Sequence, residues 1–221
     1  SGALVILSTI LELKPKELPV AYGNFPLRIT GAALGTSPDR TVIAGIGDAD
    51  GGEGANDRVF YFRYNVPSGQ IRLLGYTTSP ELGPRIVSVA HDGSRHLLGW
   101  GLVDVHGNLL AQFPNPLGKF NVGSHAIDTT RGLVYAEVPE QVKTTASQQP
   151  ATAAGTTSLG APFLQILDAD NLNVRERLRL AEHLAGKSLL SSDGETLYAV
   201  SDSGLTVLPV ASLNRFPRVV A

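Results

Sequence analysis

The sequence predicts an all-β chain built as a β-propeller of about four four-stranded antiparallel blades with an added N-terminal hairpin, and three observations carry this. A strand–turn–strand unit recurs in order along the chain. Its clearest copy is Leu189 to Val200, where two apolar runs flank the polar turn Ser191-Ser192-Asp193-Gly194. Copies are followed by a second hairpin, so the repeat holds four strands. The strands are also apolar on both faces, as blades stacked between two neighbours require, whereas the sheets of a sandwich alternate more cleanly.

Residues 1–25 hold two apolar runs, Leu4-Val5-Ile6-Leu7 and Leu18-Pro19-Val20-Ala21, around the Lys14-Pro15-Lys16-Glu17 turn. Proline prevents a continuous helix there, so the segment reads as a hairpin. The first full unit has strands at Arg28 to Leu34 and Thr41 to Ala44 across Ser37-Pro38-Asp39, then Arg58 to Tyr64 and Ile71 to Tyr76 across Pro67-Ser68-Gly69. Its polar turns make an antiparallel meander.

The second unit runs through Arg85 to Ala90, His96 to Trp100, Leu102 to Val105 and Leu109 to Phe113. The third pairs Gly123 to Asp128 with Leu133 to Ala136, and Phe163 to Leu167 with Val174 to Leu180. The fourth opens on the clearest copy and continues through Leu205 to Val210 and Arg218 to Val220. Turn aspartates Asp39, Asp92 and Asp193, with Arg131-Gly132 in the third unit, recur about every 40 to 60 residues. Discounting two insertions, that spacing approaches the roughly 40 to 45 residues of a propeller blade. One domain, residues 1–221, is expected, with units at about 27–80, 81–118, 119–182 and 183–221. The only helical candidate, Glu176 to Leu184, reads equally well as a strand end and its connection.

The segment Ser191-Ser192-Asp193-Gly194-Glu195-Thr196-Leu197-Tyr198-Ala199-Val200 resembles the strand–turn–strand of YVTN-type β-propeller repeats. Leu164 to Leu172 is similar to the strand and turn that follow it there. The resemblance covers roughly residues 85 to 221 well and 27 to 80 loosely. It implies a WD-like propeller of an exported bacterial protein, and it speaks for fold more than for function, because the motif consists of strand and turn residues. Such propellers usually have more blades. Either the N-terminal hairpin completes a small closed ring, or the chain is part of a larger propeller and self-associates through exposed blade faces.

Composition narrows the partners. The formal net charge is −2, with 18 Lys and Arg against 20 Asp and Glu, which gives no general attraction to nucleic acid or anionic lipid. No stretch approaches the roughly 18 apolar residues of a membrane span, so no membrane insertion is expected. The chain has no cysteine, hence no disulfide and no thiolate nucleophile or metal ligand.

Two insertions, Gly47 to Asp57 and Pro139 to Pro162, both connect a second strand to a third and so emerge on one face, the expected functional surface. In the first, Asp48, Asp50, Glu53 and Asp57 alternate on a glycine-rich backbone, an arrangement of oxygen ligands suited to calcium. It lacks the closing glutamate and the helices of an EF-hand, and a solvated acidic loop is the safer reading. Arg175, Arg177 and Arg179 alternate along one strand, to hold an anionic partner or to serve as a solvated edge. The five histidines read as ordinary turn or loop residues, without a recognised ligand spacing. Gly123-Ser124-His125 is not a Gly-x-Ser-x-Gly elbow, and no phosphate-binding glycine loop is present. Trp100 is expected between blades. The reading is a binding module for a protein or surface ligand, without a catalytic set and with no cofactor beyond calcium at the acidic loop. The alternative is a lactonase-like propeller hydrolase with its site at the central channel.

Overall fold

The computed structural model describes residues 28–50, 59–77, 85–113, 122–143 and 157–211. The expected N-terminal hairpin and the strand at 218–220 lie outside them. Blade 1 consists of β1 (Arg28–Thr36), β2 (Val42–Asp50), β3 (Val59–Asn65) and β4 (Gln70–Thr77), paired in that order and antiparallel throughout. Its first reversal is written into Ser37-Pro38-Asp39. One carboxylate oxygen of Asp39 accepts from the Ser37 hydroxyl at 2.5 Å and from the Thr41 amide at 3.0 Å. Such side-chain-to-backbone bonds offer the chain a turn in place of a longer strand. Within the sheet the Phe62 ring lies across Gly45, where a Cβ would overlap it.

Blade 2 repeats the plan with β5 (Val87–Val89), β6 (Arg95–Leu98), β7 (Gly101–Asp104) and β8 (Leu109–Gln112). Blade 3 is β9 (Ser124–Asp128), β10 (Leu133–Glu137), β13 (Phe163–Asp168) and β14 (Val174–Arg179). Between its second and third strands the long insertion begins and ends in a small ribbon, β11 (Gln141–Lys143) paired with β12 (Thr157–Leu159). Blade 4 shows β15 (Leu184–Leu190), β16 (Leu197–Ser201) and β17 (Gly204–Leu208). The helical candidate at 176–184 is therefore strand β14 and its link to β15.

Three apolar layers hold the blades, each between neighbours in sequence. Val42, Ala44, Ile46 and Tyr61 of blade 1 meet Val87, Val89, Leu98 and Val103 of blade 2. Leu97, Trp100, Leu102 and Phe113 of blade 2 meet Val134, Ala136, Val138 and Leu167 of blade 3. Ala126, Leu133, Tyr135 and Ile166 of blade 3 meet Leu184, Leu197, Ala199 and Val210 of blade 4. Trp100 is fully buried and packs edge-on to Phe113, between blades as expected. No apolar layer among the described residues joins blade 4 to blade 1.

Strand register shows why the layers repeat. Paired residues in an antiparallel sheet share a face, so each blade can be read in rungs. The rungs turned toward the following blade are Gly35–Ala44–Arg63 in blade 1, Ser88–Leu97–Leu102 in blade 2, and Ala126–Tyr135–Ile166 in blade 3. Their counterpart in blade 4 is Leu189–Tyr198–Val207. Ala44, Leu97 and Tyr135 are wholly buried, whereas Tyr198 is 40% exposed. The expectation of strands apolar on both faces thus holds in blade 4 as composition, while only its rear face is packed.

Candidate functional site

The inner strands β1, β5, β9 and β15 end around a central cavity of about 610 Å³. Its walls are the first turns of all four blades, with Asp39, His91, Asp128, Arg131, Lys187 and Asp193 contributing polar groups. These turns connect first strands to second strands. The two insertions connect second strands to third, at the opposite end of each blade. The cavity and the expected loop surface therefore occupy opposite ends of the propeller.

Each turn carboxylate is committed locally. Ser37 and Thr41 bind Asp39, and these donors hold its carboxyl below the usual range. Asp92 accepts from the Ser94 hydroxyl at 2.7 Å and the Ser94 amide at 3.0 Å, with the same effect. Asp193 accepts from the Ser191 hydroxyl at 2.5 Å and the Glu195 amide at 2.9 Å, and its carboxyl too is lowered, the serine being the larger cause. In the third blade Asp128 pairs with Arg131 at 2.9 Å. The same guanidinium donates to the Asp193 carbonyl at 3.1 Å, tying the turns of blades 3 and 4 together. Lys187, exposed on the cavity wall, has no carboxylate partner among the described residues.

Below the turns, adjacent inner strands are joined by buried polar contacts. Ser88 donates to the His125 carbonyl at 2.8 Å, and its oxygen lies 2.8 Å from His125 Nδ1. A hydroxyl has one proton; spent on the carbonyl, it leaves Oγ to accept from Nδ1–H. His125 Nε2 is then the bare nitrogen, and it is buried without a hydrogen bond. The ring stacks on Phe113 with centroids 6.1 Å apart. Burial pushes its pKa down to about 4. Ser124 donates to the Gly186 carbonyl at 2.7 Å, and its oxygen lies 2.5 Å from that of Ser188. At the junction of blades 3 and 4, Glu137 receives the Leu184 amide on one oxygen and faces His183 Nδ1 at 2.5 Å with the other. Burial pushes this carboxyl up, against the lowering by those two donors.

His91 and His106 occupy turns, as read from the sequence. His96 and His125 do not: both lie on strands, fully buried, and correct the reading of the histidines as turn or loop residues. They point into layers whose partners lie in another blade, which no local pattern announces. Neither His96 nitrogen is hydrogen-bonded, and burial, with Arg63 nearby adding to it, pushes this imidazole down to about 4.

The residues singled out in the sequence fall into separate places. Asp48 and Asp50 are on β2, opposite Thr30 and Arg28 of β1, while Glu53 and Asp57 lie outside the described residues. On β14, Arg177 and Arg179 pair with Gln165 and Phe163 and share a face, whereas Arg175 sits in a bulge that shifts the register. Arg175 pairs with Asp168, and Arg177 with Glu140 at 2.9 Å. The described acids Asp48 and Asp50 belong to blade 1 and the arginines to blade 3. Among the described residues no three His, Asp or Glu side chains are grouped as metal ligands would be, and no helix is long and apolar enough to cross a membrane.

No protein-family model and no curated protein matches the sequence. Among solved structures the chain is similar to TolB from Acinetobacter baumannii, with 16% identity and a TM-score of 0.50, over 79% of this chain and 39% of that one. It is also similar to the β-propeller domain of the Trilobed protease from Pyrococcus furiosus, with 13% identity and a TM-score of 0.46, over 80% of this chain and 53% of that one. This chain thus spans well under half of the TolB chain. At such identities the likeness is one of fold. With the blades, their order and the layers between them, it makes this chain a β-propeller.

Proposed function

We propose that this chain is a non-catalytic, YVTN-type propeller module of an exported bacterial protein that binds a protein or surface ligand. One observation carries the reading. Where the inner strands end, the carboxylates Asp39, Asp128 and Asp193 are each engaged by donors of their own turns or by Arg131, while Lys187, on the wall of the cavity, has no carboxylate partner among the described residues. A hydrolytic site needs an acid or base oriented toward the substrate; on this wall the carboxylates are engaged, and the exposed His91 imidazole has no orienting side-chain hydrogen bond among the described residues. Carboxylates held in place by their donors build a rigid rim instead. An exposed cation beside hydroxyl-bearing turns offers contacts that recognise a ligand without transforming it. The calcium assignment for Asp48, Asp50, Glu53 and Asp57 belongs to the same proposal as a separate, opposite-end feature.

The test is to select peptides from a random display library on the immobilised chain and to measure them against substitutions. Lys187→Ala should weaken the selected binders at least about tenfold, and Arg179→Ala on the outer strand should leave them unchanged. Binders indifferent to Lys187→Ala would remove the cavity from the reading. Turnover of a lactone abolished by Asp39→Asn in a folded protein would replace it with the hydrolase.

A further inference from the structure

We propose that the forward face of blade 4 docks the rear face of blade 1 of a second copy of this chain, so that two copies complete one ring. The inference goes beyond the ligand-binding reading, although the docking face reaches the cavity wall at Leu189. Its basis is the register of β15, β16 and β17. Tyr198 is opposite both Leu189 and Val207, and Val200 is opposite Leu205, so these five side chains stand on one face of the sheet. Their exposures are 40%, 55%, 53%, 52% and 67% in the order named. A contiguous apolar face of this kind on a folded protein marks a surface that something covers.

What covers it follows from the other blades. Ala44, Leu97 and Tyr135 hold the positions that Tyr198 holds in blade 4, and each is buried by the rear face of the next blade. The required cover is therefore a twisted antiparallel sheet presenting apolar side chains. Blade 1 has such a rear face, and no described blade precedes it. One of its rungs is Leu34–Gly45–Phe62 and the next is Thr36–Ile43–Tyr64. Ile43, Leu34 and Tyr64 are only half-buried, around a Phe62 that is itself buried over Gly45.

Stoichiometry also favours a second copy. Five side chains offer too little area in a single contact, since a specific interface removes roughly 1,200–2,000 Å². A two-fold pair makes the blade 4 to blade 1 contact twice, and it closes, where an unclosed head-to-tail contact would run on into a filament.

The experiment is light scattering on the full chain, with a paired-cysteine readout. The wild type should give twice the 23.3 kDa chain mass, and Leu205→Lys with Val207→Lys should return it to a monomer of unchanged circular dichroism. Because the chain has no cysteine of its own, Leu205→Cys in one preparation and Ile43→Cys in another can be mixed and oxidised. A mixed disulfide between the two preparations is expected. A wild-type monomer would overturn the proposal, placing the cover within one chain or leaving the face bare. A dimer that survives the lysines and yields no mixed disulfide would overturn it in favour of another contact. If the lysine variant fails to fold, the cysteine pair decides.

Discussion

His183 Nδ1 lies 2.5 Å from Glu137 Oε1, across the junction where blade 3 hands over to blade 4. The other Glu137 oxygen receives the amide of Leu184, the first residue of β15, and the carboxylate is 1% exposed. One side chain thus fixes where the last described blade begins. Removing it leaves an amide and an imidazole without their acceptor in a nearly dry site, a loss of about 2–4 kcal/mol. Glu137→Ala should therefore lower the urea midpoint markedly. Glu137→Gln keeps an acceptor for Leu184 and should cost clearly less.

Acid should unfold the protein through two buried imidazoles. His96 and His125 ordinarily titrate near 6.5, but burial lowers both to about 4 in the folded chain. Between those values the unfolded chain binds more protons than the folded one, so stability falls as pH drops through this window. Each imidazole contributes on the order of 3 kcal/mol by pH 4. Thermal unfolding should be insensitive to these groups above about pH 7 and fall steeply below pH 6. His96→Leu should remove about half of that dependence. It should also leave the neutral-pH stability unchanged or raised, because neither nitrogen of His96 has a hydrogen bond to lose. A variant with an undiminished acid slope would assign it elsewhere.

Trp100 is the only tryptophan and is closed in by Phe113 and His125 between blades 2 and 3. Trp100→Ala opens a cavity in that layer and should cost about 3–5 kcal/mol in denaturant unfolding followed by circular dichroism. In the wild type its fluorescence should report the separation of these two blades alone.

Gly194 turns the chain at φ +69°, and the Arg131 guanidinium occupies the space a Cβ would need. Gly194→Ala should cost about 1–2 kcal/mol and push Arg131 off Asp128. Gly132, at φ +64° with nothing within 4 Å, supplies the comparison. Gly132→Ala bears the backbone cost alone, and the difference between the two variants measures the arginine contact. Equal losses would mean that the arginine moves freely.

The four-blade order was legible because its signals are local. Asp39, Asp92 and Asp193 bind donors within two residues, so the turns that divide the strands are written in three or four adjacent letters. The inter-blade position of Trp100 was legible as well. The cavity was not, because its wall joins Thr36, His91, Arg131 and Lys187, brought together only when the inner strands converge. His125 was misread for the same reason: Ser88, which orients it, is 37 residues away. The paired roles of Glu137 and His183 depend on a separation of 46 residues. The open face of blade 4 could not be seen in composition, since exposed Tyr198 and buried Tyr135 are the same residue on equivalent rungs.

The confinement of each apolar layer to blades adjacent in sequence has a consequence for how the chain is made. No described layer waits for a strand from the far end of the sequence, so loop closure is short at every step. During synthesis a blade can dock as soon as the one after it leaves the ribosome, in N-to-C order. The order of translation is then also the order of assembly, and the apolar surface each docking step leaves open is that of the leading blade, beside the rear face of blade 1.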